Sequence, residues 1–148
     1  MSNGRIRPLA LGLVWRGDDL LVFEGYDHVK SETFYRPLGG GIEFGEYGQE
    51  ALRREFREEL GVELAEIRYL STLENIFVCN GQPGHEIVLL YEVTLADAAL
   101  YERETFAVHE EKETLTAAWI PLPRFQAAGL KLYPNGLPEL LADRDTTR

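Results

Sequence analysis

Apolar positions along this chain follow two rhythms. The first is strand-like. Arg5 to Trp15 alternates in part and carries Leu9, Leu11, Leu13, Val14 and Trp15, followed by a turn at Arg16–Asp19 and a return strand at Leu20–Phe23. Gly25 to Thr33 is polar and reads as an exposed loop, and Phe34 to Leu38 as a short extended segment, since a residue before proline avoids the helical region. Val62–Cys79 and His85–Leu95 are rich in aliphatic, β-branched and aromatic residues, and the turn residues Asn80–Gly84 between them predict an antiparallel hairpin. An acidic connection (Ala96–Glu104), a short edge strand (Thr105–Val108), a charged loop (His109–Glu113) and a last strand (Ala117–Leu122) follow.

The second rhythm is helical, from about Glu46 to Leu60. Leu52, Phe56 and Leu60 form its apolar stripe and Gly61 its stop signal. Short helices are expected at Pro123–Ala128 and Leu137–Asp143, and a frayed end at Asp145–Arg148. Strands mixed with helices in this order predict an α/β sandwich around a mixed sheet. A length of 148 residues predicts one domain, 1–148.

The long helix also carries chemistry. Residues three and four apart share a helix face, so Glu55, Glu58 and Glu59 converge beside the apolar stripe, with Arg53 and Arg57 on its other flank. Like charges at that spacing cost helix stability, and a hard divalent cation taking oxygen ligands would offset the cost. Gly39-Gly40-Gly41 precedes the helix, and glycines in series permit close backbone approach to a ligand.

Charge sharpens this picture. Fifteen Lys and Arg against 25 Asp and Glu give a formal charge of −10, which argues against a nucleic-acid polymer as partner. An acidic protein that handles phosphates needs metal ions to bring the two together. Apolar runs fall short of the ~20 residues that span a bilayer, so no membrane partner is expected. The single Cys79 forms no internal disulfide and reads as a small buried hydrophobe, which fits a reducing cytoplasm.

From Gly40 the chain gives Gly, five residues, Glu46, seven residues, then Arg54-Glu55-Phe56-Arg57-Glu58-Glu59-Leu60-Gly61-Val62. This resembles the signature box of the Nudix hydrolases with every fixed position filled. Phe56 is aromatic where that family more often has an aliphatic residue, and Pro37-Leu38-Gly39-Gly40 places a leucine between the proline and the glycines that many relatives have adjacent. The resemblance implies a Nudix-type α/β/α sandwich with a mixed central sheet and a loop-helix-loop catalytic motif. It implies Mg²⁺, or Mn²⁺, held by Glu55, Glu58, Glu59 and the Gly40 carbonyl, and it gives Arg54 the part of orienting the glutamates and Glu46 a structural part. The general base is left among Glu55, Glu58 and a later loop carboxylate, with Glu113 preferred over Glu110 and Glu111.

Substrate contacts are expected from Arg36, beside the glycines, and from Tyr35 or Phe34. These two aromatics alternate across a strand, so one would stack on a base and the other pack in the core. Arg5, Arg7, His28 and Lys30 are weaker candidates, and Glu86 faces either the cleft or solvent. The implied reaction is hydrolysis of the diphosphate bridge of a nucleoside diphosphate joined to another group: a nucleoside triphosphate, nucleotide sugar, ADP-ribose or dinucleoside polyphosphate. Alternatives are a non-nucleotide diphosphate as substrate, or a non-catalytic nucleotide sensor on the same fold. A homodimer is common in that family, and no stretch here declares an interface.

Overall fold

The computed structural model describes residues 4–110, 113–127 and 129–144. The apolar run Leu9–Val14 forms the middle of β1 (Ile6–Arg16), which is covered on both faces. A strand buried on both sides reads as a continuous apolar run, not as strict alternation. β1 pairs in parallel with β6 (Gln82–Leu95) and antiparallel with β4 (Leu38–Gly41), and β5 (Leu64–Cys79) lies antiparallel outside β6. β2 (Asp19–Asp27) meets β1 only at the hairpin end, with Trp15 opposite Leu20. It is flanked by β3 (Glu32–Arg36) and β8 (Thr114–Pro121), with β7 (Thr105–His109) beyond β8 and β9 (Lys131–Leu132) beyond β3.

Helix α1 (Gly48–Leu60) covers one face. Its Ala51, Leu52 and Phe56 pack with Ala10, Val14, Val93, Phe106 and Trp119. The other face carries Leu9, Leu11, Leu13, Val88 and Leu90 under α2 (Leu122–Ala127) and α3 (Leu137–Ala142). The result is the α/β/α sandwich with a mixed sheet that the order of elements predicts. Phe56 finds its room at Gly12, where a β-carbon would stand 3.1 Å from the ring. Burying this ring contributes on the order of 2–3 kcal/mol.

Two boundaries differ from expectation. Residues 25–33 are mostly strand, with Gly25 opposite Phe34 and Asp27 opposite Glu32. Ladder hydrogen bonds satisfy the backbone whatever the side chains, so a polar stretch at the margin of a sheet stays extended. Only the turn remains, and there the Val29 and Lys30 N–H groups donate to the Asp27 carboxylate at 2.9 and 3.0 Å. These donors, Lys30 first, hold the Asp27 carboxyl below its ordinary value. Helix α1 starts two residues late, because Tyr47 is its cap and donates its N–H to the Glu50 carboxylate at 2.7 Å. It stops where Gly61 turns left-handed at φ 69°.

Candidate active site

The glycine loop and α1 are pinned to each other before any ligand is considered. β4 lays Gly39 opposite Leu11 and Gly40 opposite Ala10. Gly39 has φ 139°, and a β-carbon there would collide with the Ala10 carbonyl, so this position needs glycine. Leu38, the residue inserted between proline and glycines, is buried under α1 and anchors the loop in the core. At Gly40 a β-carbon would lie 2.5 Å from the Glu55 carboxyl carbon. We expect Gly40→Ala to displace that carboxylate and to lower turnover about tenfold or more, with a smaller fall in melting temperature than Gly39→Ala. Parallel kinetics and thermal melts of the two variants check this.

Arg54 ties the acidic residues together. Its Nε donates to Glu46 Oε2 at 2.6 Å, and one terminal nitrogen donates to Glu46 Oε1 at 3.0 Å and the Gly41 carbonyl at 2.9 Å. The other donates to Glu55 at 2.9 Å and Glu58 at 3.2 Å. This fork uses the planar geometry that only arginine offers. It holds the Glu46 carboxyl well below its ordinary value, at about 2. Glu46 in turn closes the loop by accepting the Glu43 N–H at 3.0 Å.

Glu59 is different: it is buried, and its carboxyl faces those of Glu55 and Glu110. Burial first, then Glu110 and Glu55, push it up to about 9. Glu55 is also raised, chiefly by burial, against the opposing pull of Arg54. Buried carboxyls that face one another disfavour one another's ionisation. Among the described residues no group of three or more acidic, histidine or cysteine side chains is placed so that it could hold a metal ion as it stands. Carboxylates are hard oxygen donors, the type that a hard ion takes alongside waters and substrate oxygens. Glu55, Glu58 and Glu59 line one cleft together with Gly40.

These groups line a cleft of about 630 Å³, within the usual range for ligand sites. Glu43, Glu55, Glu58, Glu59 and Glu110 form an acidic wall, and Arg5, Arg7 and Arg36 bring positive charge to the same cleft. Arg36 is steered from below: its guanidinium lies 3.7 Å from Glu86, which is buried and also accepts from Asn75 Nδ2 at 3.1 Å. Asn75 accepts the Asn135 N–H at 2.9 Å, so the network extends to the segment that follows β9.

Not every expected residue reaches this cleft. Glu113 is exposed and outside it; its carbonyl accepts the Glu110 N–H at 2.9 Å, and Glu110 is the loop acid that lines the cleft. Glu111 lies outside the described residues. Tyr35 packs edge-on against Phe125 and donates its hydroxyl to Glu24 at 3.1 Å, so it belongs to the opposite face. Phe34 lies across Gly25 and against Tyr133, in a small neighbouring cavity that also borders Arg36. Glu86, undecided between cleft and solvent, faces the cleft. Lys30 and His28 brace the β5–β6 turn instead of reaching the cleft.

The β/α scaffold thus presents clustered carboxylates on a helix beside a glycine loop, with arginines sharing the cleft. A sequence model of the NUDIX domain matches residues 6–141, and the chain belongs to that family. It is 37% identical over 144 residues to the NAD-capped RNA hydrolase NudC of Pseudomonas aeruginosa, covering 97% of this chain and 42% of that protein. The NudC protein of Pseudomonas putida W619 is 38% identical over 71 residues, covering 48% of this chain and 25% of that protein. The chain thus spans less than half the length of these curated relatives. Among solved structures, a NUDIX hydrolase from Nitrosomonas europaea superposes with a TM-score of 0.68 at 14% identity, over 97% of this chain and 90% of that one. The E. coli ORF135 protein does so at 0.62 and 21% identity, over 95% and 92%. Members of this family generally depend on a divalent metal. No helix among the described residues is long and apolar enough to cross a membrane.

Proposed function

We propose that this protein hydrolyses the diphosphate bridge of a nucleoside diphosphate joined to a second group, with Mg²⁺ or Mn²⁺ held by Glu55, Glu58, Glu59 and Gly40. The observation that carries the reading is the shared cleft, in which the α1 carboxylates and Arg5, Arg7 and Arg36 all meet. A diphosphate entering it adds negative charge to an already acidic wall, so arginine contacts alone leave that charge uncompensated. When bound, the cation would neutralise phosphate oxygens and make a water molecule more acidic.

The chain's own residues supply the rest. Arg36, preset by Glu86, and the neighbouring Arg5 and Arg7 grip phosphate oxygens and fix the diphosphate along the cleft. A carboxylate of the acidic wall accepts the proton of the attacking water, with Glu58 and Glu110 beside Glu55 as the candidates. The water oxygen bonds to one phosphorus, and the bridging oxygen leaves with the other phosphate. The products are two phosphate monoesters when both ends of the diphosphate are substituted. The Pseudomonas relatives are NAD-capped RNA hydrolases, and NAD carries a diphosphate between two nucleosides. The net charge of −10 favours small substrates over the RNA chain itself.

The test is nucleoside monophosphate release from NAD, ADP-ribose, dinucleoside polyphosphates, nucleotide sugars and nucleoside triphosphates. Turnover of at least one is expected with Mg²⁺ or Mn²⁺ and is abolished by chelation. Full activity in chelator, or none on any compound with either metal, would sink the reading.

A further inference from the structure

Another cavity, of about 340 Å³, opens beside the cleft at the tip of the β5–β6 hairpin. Both share Arg5, Arg7, Arg36 and Glu86 as lining, so the arginines stand at the junction through which one ligand would run. The new cavity is bordered by Phe77 on β5 and by Gln82 and His85 on β6. Phe77 stands directly opposite Gly84. A β-carbon on Gly84 would collide with three atoms of the ring, so the ring lies over bare backbone. That leaves a half-buried aromatic surface at the cavity edge, fixed in place by the absence of a cross-strand side chain.

The hairpin tip is also braced, which an isolated two-stranded tip is not. The His28 N–H donates to Asn80 Oδ1 at 2.6 Å, and Lys30 Nζ donates to the Val78 carbonyl at 2.9 Å. The β2–β3 turn is thereby tied to the β5–β6 turn on either side of Cys79. A wall held this way is set before a ligand arrives, which lowers the ordering cost of binding.

An aromatic platform, amide and imidazole groups beside it and arginines at the exit match one ligand chemistry. Flat heterocycles stack on such rings, gain from nearby guanidinium groups and offer polar edges to Gln82 and His85. A prenyl or other aliphatic tail would leave those polar groups unmatched. We infer that this cavity seats the base of the substrate's nucleoside on Phe77, with the phosphates leading past Arg5, Arg7 and Arg36 into the acidic cleft. The inference rests on the pyrophosphohydrolase reading and names the part of the substrate that the reading leaves open.

Calorimetric titration with AMP and with ribose 5-phosphate, both in chelator, separates the two ideas because it needs no turnover. Phe77→Leu keeps an apolar side chain and removes the ring; it is expected to weaken AMP binding about tenfold and to leave ribose 5-phosphate binding unchanged. Phe77→Tyr restores the platform and is expected to bind AMP as the wild type does. In the wild-type protein, AMP is expected to shift the backbone amide resonances of Phe77 and Gly84, a readout independent of how any variant folds. Unaltered AMP affinity in Phe77→Leu, or an AMP titration that leaves Phe77 and Gly84 unmoved, overturns the seat. AMP binding with this ring dependence in a protein that hydrolyses no diphosphate keeps the seat and removes the proposed reaction.

Discussion

Glu58→Gln is expected to lower kcat on the order of 10³-fold, with a melting temperature within about 2 °C of wild type. The two effects separate because of where Glu58 sits. Its side chain is 60% exposed, and its ion pair is with Arg54 at 3.2 Å. Glutamine keeps the volume and still accepts that hydrogen bond, so the helix loses little. What it loses is the negative charge, which the proposed reaction uses to hold a divalent cation or to accept a proton from water. Glu55 and Glu59 are poorer probes. Glu55 packs against Gly40 and Arg54, while Glu59 is buried against two other carboxyls, so their substitution alters the packing and electrostatics of the apo fold along with the chemistry. Saturating kinetics with Mg²⁺ and a thermal melt measure both quantities, and an active Glu58→Gln protein would remove the role given to this residue.

The parts of the fold that were legible in the sequence are those set by local spacing. Gly61, Leu52 and Phe56 mark α1 because a helix stop and a helical stripe are nearest-neighbour properties. Asn80–Gly84 marks the hairpin for the same reason. Pairing between distant strands is not local: nothing in Ile6–Val14 alone states that it runs parallel to His85–Val93. For the loop acid the signal lies in the alternation of β7. In β7, Phe106 and Val108 are buried in the same cluster as Phe56, and a two-residue period carries that face on to position 110. Glu110 therefore continues toward α1, while Glu113 lies beyond the turn and is exposed. Phe34 and Tyr35 alternate across β3, and Tyr35 is the one packed with Phe125. Which cavity Phe34 would border depended on Phe77 and Tyr133, from strands and turns far along the chain.

Arg54→Met is expected to lower turnover on the order of 10²-fold through misplaced carboxylates, and stability by about 2–3 kcal/mol at neutral pH. For a protein of this size that is a fall in melting temperature of roughly 5–10 °C. Methionine fills the stem volume but leaves Glu46, Glu55, Glu58 and the Gly41 carbonyl without their shared donor. Arg54→Lys should recover only part of the loss, since one ammonium cannot reproduce the planar fork that meets Glu46 with two nitrogens. The destabilisation also carries a pH signature. Glu46 has its folded-state value depressed from 4.5 to about 2, first by the Arg54 hydrogen bonds. Stability from a depressed carboxyl is fully present above its unfolded value and is lost as pH falls through the folded one. The gap in melting temperature between wild type and Arg54→Met should therefore be widest above about pH 5 and close progressively toward pH 2. A gap that stayed constant across that range would mean that Arg54 stabilises the fold by packing alone, and that its carboxylate partners are held in place by something else.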